Sequence, residues 1–407
     1  MAIRLRQVTS ADDLETWTRA VTRTFHFTGS IEDAIAFDRR RHEQGDRSTI
    51  AEIDREVAGT FRSFDAMLTL PGGAAVDVDA ITGITVQSTH RRRGVLTRMM
   101  TADLARIAAG GRAAAILWSA EFPIYGRFGF GVATRSLGLT IDRTRAGFRH
   151  DAHQDAGTVR FASNEELFEC APAVFDDVRS RTPGEITRSR LKWEVETNVT
   201  PWPGDEWKGW HIVSRDERGR ADGFASYHVD HLWEHGSPKQ TLSVDALTST
   251  SAQARSRLWR FLLGVDLVAT VRADRLPLDE LLPWQLEDGR AAVFELFPDG
   301  LWLRVLDPIA LLSQRTLGAS SVVVEIVDPA GFATGVFRVE QGNVKRLRRS
   351  TADLTIDVAS LGTLILGTER AEVLHAAGRI DEHRRGAVER LDVLLRTAAP
   401  PHCSTGF

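Results

Sequence analysis

The sequence predicts an α+β protein built as three consecutive domains, residues 1–150, 151–290 and 291–407. Three observations carry that prediction. Strands and helices alternate through the first third. After residue 150 the pattern restarts, and "LSVDALTSTSAQARSRLWRFLLG" repeats the order of strand, polar turn, basic helix start and apolar helix. From residue 291 onward short apolar strands dominate ("LWLRVLD", "SVVVEIVD", "GVFRVE", "DLTIDVASLGTLILG") and "RRGAVERLDVLLRTA" reads as a closing helix. A chain of 407 residues is in any case too long for a single core.

The elements of the first third follow from local chemistry. "IRLRQV" is a short strand, and "SADDLETWTRAVTRTF" is a helix with Ser10 as N-cap and acids in its first turn. "STIAEIDREVAGTFRSFDAML" makes two strands turning near Asp54–Glu56, and "VDAITGITV" is β-branched enough to lie inside a sheet. After Gly94 the apolar positions Leu96, Met99, Met100, Leu104 and Ile107 recur at helical spacing. "AAAILWSA" supplies the next buried strand. In the middle third, "GWHIVSRDERGRADGFASYHVD" is a hairpin. Setting Ile84–Thr85 over Leu247–Thr248 puts Arg92 over Arg255 and Gly94 over Arg257, so the middle third reads as a worn copy of the first with an arginine at the position of Gly94.

Composition narrows the function classes. The chain is 43% hydrophobic and 26% charged with a net charge of −4, which lacks the broad basic face that nucleic acid requires. Two cysteines, Cys170 and Cys403, are too few for a disulfide framework. "MAIRLRQVTSADDL" lacks the apolar stretch of a signal peptide, and no run approaches the ~20 apolar residues of a membrane span. These features imply a soluble, cytoplasmic protein without nucleic-acid or membrane partners.

"THRRRGVLTRMM" is the stretch with the clearest chemistry. Arg91, Arg92 and Arg93 repel one another and oppose the positive end of the helix dipole, so the arrangement costs stability unless an anion sits there. The first N–H groups of that helix are unpaired, and Gly94 removes a side chain where a phosphate would touch the backbone. A solvated basic patch is the plain alternative. "AEFPIYGRFGFG" holds Tyr125, one of two tyrosines in the chain, and taken alone reads as an aromatic loop packed under a domain edge.

"ITVQSTHRRRGVL" resembles the acetyl-coenzyme A motif of the GNAT N-acetyltransferases, a strand leading into Q/R-x-x-G-x-G/A. Arg91 holds the first position and Gly94 the glycine, while Leu96 stands where Gly or Ala is usual. That departure, with the RRRG signature, is similar to the enhanced intracellular survival (Eis) branch. The resemblance spans the whole chain and implies two tandem GNAT domains, the second degenerate. It also implies a sterol-carrier-protein-like α+β third domain ("VVVEIVDPAGFATGVFRV", "LGTLILG", "AAGRI").

The resemblance further implies site residues. The strand edge Ile84, Thr85 and Val86 would bind pantetheine. Arg91, Arg92, Arg93, Gly94, Val95, Leu96 and Thr97 would cradle the pyrophosphate. Ala120 and Glu121 would line the cofactor, with serine common at the position of Ala120. Tyr125, within "IYGRFG", would act as general acid toward the leaving thiolate. The C-terminal carboxylate, carried by Phe407, would act as base, and Gly406 stands where an acid can precede it. The implied activity is direct acetyl transfer from acetyl-CoA to primary amines of a polyamine such as an aminoglycoside, at several positions, by a homohexamer without metal. A carrier role for the third domain and protein lysine N-acetylation are the alternatives left open.

Two further clusters are singled out. "YHVDHLWEH" places His228, His231 and His235 near Asp230 and Glu234 but lacks a ligand pair of known metal-site spacing. Trp193, Trp202, Trp207 and Trp210 read as packing, with a substrate wall as the other option. Phe25 and Phe27 are candidate pocket residues.

Overall fold

In the computed structural model, which describes residues 2–152, 155–204, 206–297, 299–348 and 350–407, strand β1 (Arg4–Gln7) leads into helices α1 (Ala11–Thr24) and α2 (Ile31–Glu43). Ser10 caps α1 by accepting the Asp13 N–H at 3.1 Å. Strands β2 (Arg47–Ile53) and β3 (Glu56–Thr69) turn through Asp54 and Arg55, both left-handed. β4 (Ala75–Val86), α3 (Val95–Ala109) and β5 (Ala114–Trp118) complete a strand–helix–strand unit. The buried stripe of α3 is Val95, Met99, Met100, Leu104 and Ile107. Val95 thus replaces the expected Leu96, which is half-buried.

Strands β6 (Gly131–Val132) and β7 (Ser136–Asp142) follow. The second unit comprises β8 (Thr158–Ala162), α4 (Asn164–Arg179), α5 (Arg190–Glu196), β9 (Trp210–Arg215) and β10 (Ala221–Asp230). It continues through the short hairpin of β11 (Trp233–Glu234) and β12 (Ser237–Pro238) to β13 (Gln240–Ser249), α6 (Ala252–Gly264), β14 (Val268–Leu276), α7 (Leu282–Gln285) and β15 (Ala292–Phe297). The last part contains β16 (Leu301–Val305), α8 (Pro308–Gln314), β17 (Ser321–Val327), β18 (Gly335–Glu340) and β19 (Asn343–Leu347). It closes with β20 (Leu354–Asp357), α9 (Val358–Leu364), α10 (Ala371–Ala376), β21 (Ile380–Glu382) and α11 (Ala387–Leu395).

The first sheet has the order β1-β2-β3-β4-β5-β16-β6 and the second β15-β7-β14-β13-β10-β9-β8. Each contains one parallel pair at the strand–helix–strand unit, β4 with β5 and β13 with β14. Strands cross between the thirds of the chain: β7 from residues 1–150 joins the second sheet, β15 from residues 291–407 pairs with it there, and β16 from the last third joins the first sheet. Sheet membership therefore does not stop at residue 150 or at residue 290. Sequential strands usually neighbour each other, and here a crossover overrides that tendency.

The third sheet runs β19-β18-β17-β20-β21. "LGTLILG", expected to be strand-like, falls mainly in α9. Asp357 caps that helix by accepting the Ser360 N–H at 2.9 Å, which is a stronger local signal than the apolar run. One core joins the third unit to the first sheet, with Val78 and Leu303 packed in the same cluster as Val324, Leu361 and Leu394. Across that junction the buried Arg304 guanidinium donates to both oxygens of Asp328, at 2.7 and 2.8 Å. Removing either partner would leave a buried charge uncompensated.

Candidate active site

The site begins with a defect in a strand. On β3, Thr60 opposes Thr85 and Arg62 opposes Thr82, so Phe61 faces two residues of β4, Gly83 and Ile84. This bulge bends β4 away from its parallel neighbour, which it pairs only from Val78 to Ile81. Gly83 has φ 56°, and a Cβ there would lie 3.0 Å from the Trp17 ring, so glycine is required. Beyond Ile81, the β4 edge carrying Ile84, Thr85 and Val86 has backbone groups without a strand partner on the β5 side. Thr85 is locked by its hydroxyl, 2.6 Å from that of Thr60.

Residues 87–94 connect that edge to α3. Gly94 is the N-cap in left-handed conformation (φ 81°), with no side-chain cap and no acid in the first turn. An added Cβ at Gly94 would meet only Ile3, at 4.0 Å, so the space over the helix end is open. Arg91, Arg92 and Arg93 are exposed, and among the described residues none has an ion-pair partner. Val95 is buried under the turn, while Thr97 is exposed. Open N–H groups, a dipole end and unpaired guanidinium groups at the end of an unpaired strand edge fit a pyrophosphate joined to an extended amide arm.

The second copy differs, and the register proposed for it is corrected. Only residues 250 and 251 join β13 to α6, so the loop corresponding to 87–94 is missing. The helix start falls at Ser251, whose hydroxyl accepts the Ala254 N–H at 3.2 Å, not at Arg257. Arg257 lies a turn further along, paired with Asp155 and Asp222 and donating to the Ser214 hydroxyl at 3.1 Å. Arg255 is buried against Glu280. An alignment that fixes the strands cannot see a deletion between strand and helix.

Ala120 and Glu121 lie on the exposed loop after β5. Tyr125 is buried (8% exposed) and packs in one cluster with Ile84, Val86, Val95, Phe130 and Trp302. Burial, and secondarily the Glu121 carboxylate, push its phenol up to about 12. At neutral pH the phenol is therefore protonated.

Phe407 lies in another cluster, beside Phe64 and Trp118. The tail before it is held tightly. The Trp118 indole donates to the Thr405 carbonyl at 3.1 Å. The Arg188 guanidinium donates to the Thr405 hydroxyl at 2.9 Å and the Ser404 hydroxyl at 3.0 Å. The Glu185 carboxylate accepts from the Ser404 N–H at 2.7 Å and from the Ser404 and Thr405 hydroxyls at 2.6 and 2.7 Å. Burial opposes ionisation of Glu185, but Arg188 and these donors outweigh it and hold its pKa below the ordinary value.

Phe407 and Trp202 border two cavities. One, of about 340 Å³, is lined by Trp17, Phe25, Phe27, Phe37 and Arg62. The other, of about 980 Å³, lies in the splay of β13 and β14 and includes Asp274 and Asp279. Tyr125 lines neither. Phe25 and Phe27 thus line a pocket, and Trp202 is a wall residue, 4.8 Å from Phe37 between ring centroids. Trp193 is core, while Trp207 and Trp210 stack on His211 and Tyr227. His228 pairs with Asp245 at 2.9 Å, and among the described residues no group of three or more His, Cys, Asp or Glu is placed to hold a metal.

Sequence reasoning missed Glu185, Arg188, Trp118 and Trp17. Trp17 sits on the apolar stripe of α1, where it reads as core, and "GEITRSR" carries no motif.

A family model for an acetyltransferase (GNAT) domain matches residues 4–133, and another of the same description matches 184–305. A sterol carrier protein domain model matches 309–404. An uncharacterized N-acetyltransferase of Streptomyces avermitilis is 36% identical over 100% of this chain and 99% of its own. N-acetyltransferase Eis of Mycobacterium tuberculosis is 32% identical over 86% of each chain. The crystal structure of Eis1 from Mycobacterium abscessus covers 100% of both chains with a TM-score of 0.87 and 30% identity. With the open strand edge and the arginine turn, these relatives make the protein an acetyl-CoA-dependent N-acetyltransferase, and the chain belongs to the Eis family of GNAT enzymes.

Proposed function

We propose that the protein acetylates more than one primary amine of a compact polyamine, aminoglycosides among them. The observation that carries this reading is the seat of Phe407 between two cavities, so that amines held on either side approach one carboxylate. Asp274 and Asp279 in the larger cavity form no ion pair among the described residues and are available to ammonium groups.

Acetyl-CoA supplies a thioester-bound acetyl group. Ile84, Thr85 and Val86 hold the pantetheine arm, the turn from Arg91 to Thr97 holds the pyrophosphate, and Ala120 and Glu121 flank the reactive end. The Tyr125 hydroxyl delivers its proton to the departing thiolate sulfur, and the Phe407 carboxylate takes a proton from the attacking amine, directly or through one water. Transfer is direct: burial raises the Cys403 thiol well above its ordinary pKa, which disfavours a nucleophilic thiolate. The working form is a cytoplasmic homohexamer.

The test is a screen of polyamines, monoamines and lysine peptides for coenzyme A release, followed by a mass-spectrometric count of acetyl groups per acceptor. Multiple acetylation of polyamines supports the reading. Turnover confined to peptides, or a single acetyl group at completion on every polyamine, contradicts it. Light scattering checks the hexamer.

A further inference from the structure

Glu185 is only 3% exposed and lies outside the strands and helices, in the connection between α4 and α5. Both carboxylate oxygens are committed to residues 403–405. Oε2 accepts the Ser404 N–H and hydroxyl, and Oε1 accepts the Thr405 hydroxyl and, at 3.5 Å, the Cys403 thiol. The Ile186 N–H, 3.1 Å from Oε1, orients the carboxylate from its own backbone. Ser404 and Thr405 hydroxyls each donate to Glu185 and accept from Arg188, so the four side chains form one alternating network.

The receptor itself is fastened to the first sheet. The Gly184 N–H donates to the Thr69 carbonyl at 2.8 Å, the Thr69 N–H donates to the Glu185 carbonyl at 3.0 Å, and Ile186 bridges Leu68 on β3. The His402 N–H adds a bond to the Pro183 carbonyl at 2.8 Å. A tail gripped at residue 405 has two residues left, a reach of at most about 7 Å. Fixing Thr405 therefore confines the Phe407 carboxylate to a small volume.

We propose that Glu185 is the internal receptor for the C-terminal tail, a positioning residue that sets the Phe407 carboxylate in place by gripping residues 403–405. The inference deepens the proposed role of Phe407 as base and depends on it for its effect on rate. It also implies a graded response. Glutamine offers one acceptor oxygen and an amide N–H₂ that faces the donors of the tail, so it keeps part of the grip. Alanine keeps none.

The experiment uses full-length Glu185→Ala and Glu185→Gln, with Thr405→Val as a tail-side variant that leaves Glu185 intact. Two quantities are measured: release of phenylalanine by a carboxypeptidase, and kcat with the KM values for acetyl-CoA and amine. Native protein is expected to resist the protease. Glu185→Ala releases phenylalanine readily and loses kcat by about 10²-fold, the scale of an ångström-sized misplacement, with the acetyl-CoA KM unchanged. Glu185→Gln and Thr405→Val fall between. A Glu185→Ala protein with a protected tail and native kcat overturns the proposal. If that variant does not fold, a protected tail and native kcat in Thr405→Val overturn it instead. Easy phenylalanine release from Glu185→Ala, combined with full activity in a chain lacking Gly406 and Phe407, upholds the receptor and removes the base.

Discussion

The Phe407 ring meets the Phe64 ring edge-on, with centroids 5.3 Å apart and planes at 88°. Such a pair contributes about 0.5–1.5 kcal/mol beyond the area it buries. It ties Phe407 to β3, the strand whose mismatch with β4 opens the edge carrying Ile84, Thr85 and Val86. The proposed base and the proposed pantetheine edge are thus referred to one strand.

Adding residues after Phe407, or deleting Gly406 and Phe407, is expected to lower kcat by about 10²–10⁴-fold. Acetyl-CoA affinity should stay native in both forms, and melting temperature in the tagged form, because the grip at residues 402–405 is untouched, whereas the deletion also removes the Phe407–Phe64 ring contact and should lower the melting temperature modestly. Steady-state kinetics of tagged, truncated and native-ended protein on one amine checks this. Full activity of the tagged form would move the base elsewhere, with Glu121 the next side chain to mutate.

Arg92→Ala should weaken acetyl-CoA binding by about 1.5–3 kcal/mol, the range for a charge-assisted hydrogen bond. The loss is expected in the acetyl-CoA KM with little change in kcat, since phosphates are remote from the reacting carbon. Arg92 has φ 61°, so Arg92→Gly should lose the same affinity while relaxing the backbone. An unchanged KM in both variants would show that this guanidinium is merely solvated.

Tyr125→Phe keeps the buried ring and removes the proton donor, and kcat should fall by about 10²–10⁴-fold with cofactor affinity retained. The pH profile carries the same assignment. Burial and Glu121 raise the phenol to about 12, so the acid stays protonated and active through the alkaline range where an ordinary tyrosine near pH 10 would titrate. A kcat that falls with an apparent pKa near 10, and does so only when Tyr125 is present, would contradict the burial argument.

Isothermal titration with acetyl-CoA should give one site per chain. The second strand–helix unit has no loop between β13 and α6, and the Ser251 hydroxyl occupies the helix end that a phosphate would need. A stoichiometry of two would mean that the larger cavity accepts the cofactor as well.

By itself the sequence determined what depends on neighbours a few residues away. Ser10 before an acidic turn caps α1, Gly94 supplies the left-handed residue that starts α3, and the arginine run precedes a helix whose first turn, unlike that of α1, holds no acid. The Eis resemblance then assigned roles to Ile84–Val86, Tyr125 and Phe407. Tertiary structure decided the rest. Which sheet β7 and β16 join, and where the second helix starts, turn on long-range pairing and on a missing loop, neither of which leaves a local pattern. The receptor for the tail is a lone carboxylate 219 residues before Ser404 in the chain. Nothing near Glu185 in the sequence marks it, because its partners become neighbours only when the first sheet, the second unit and the end of the chain close on one another.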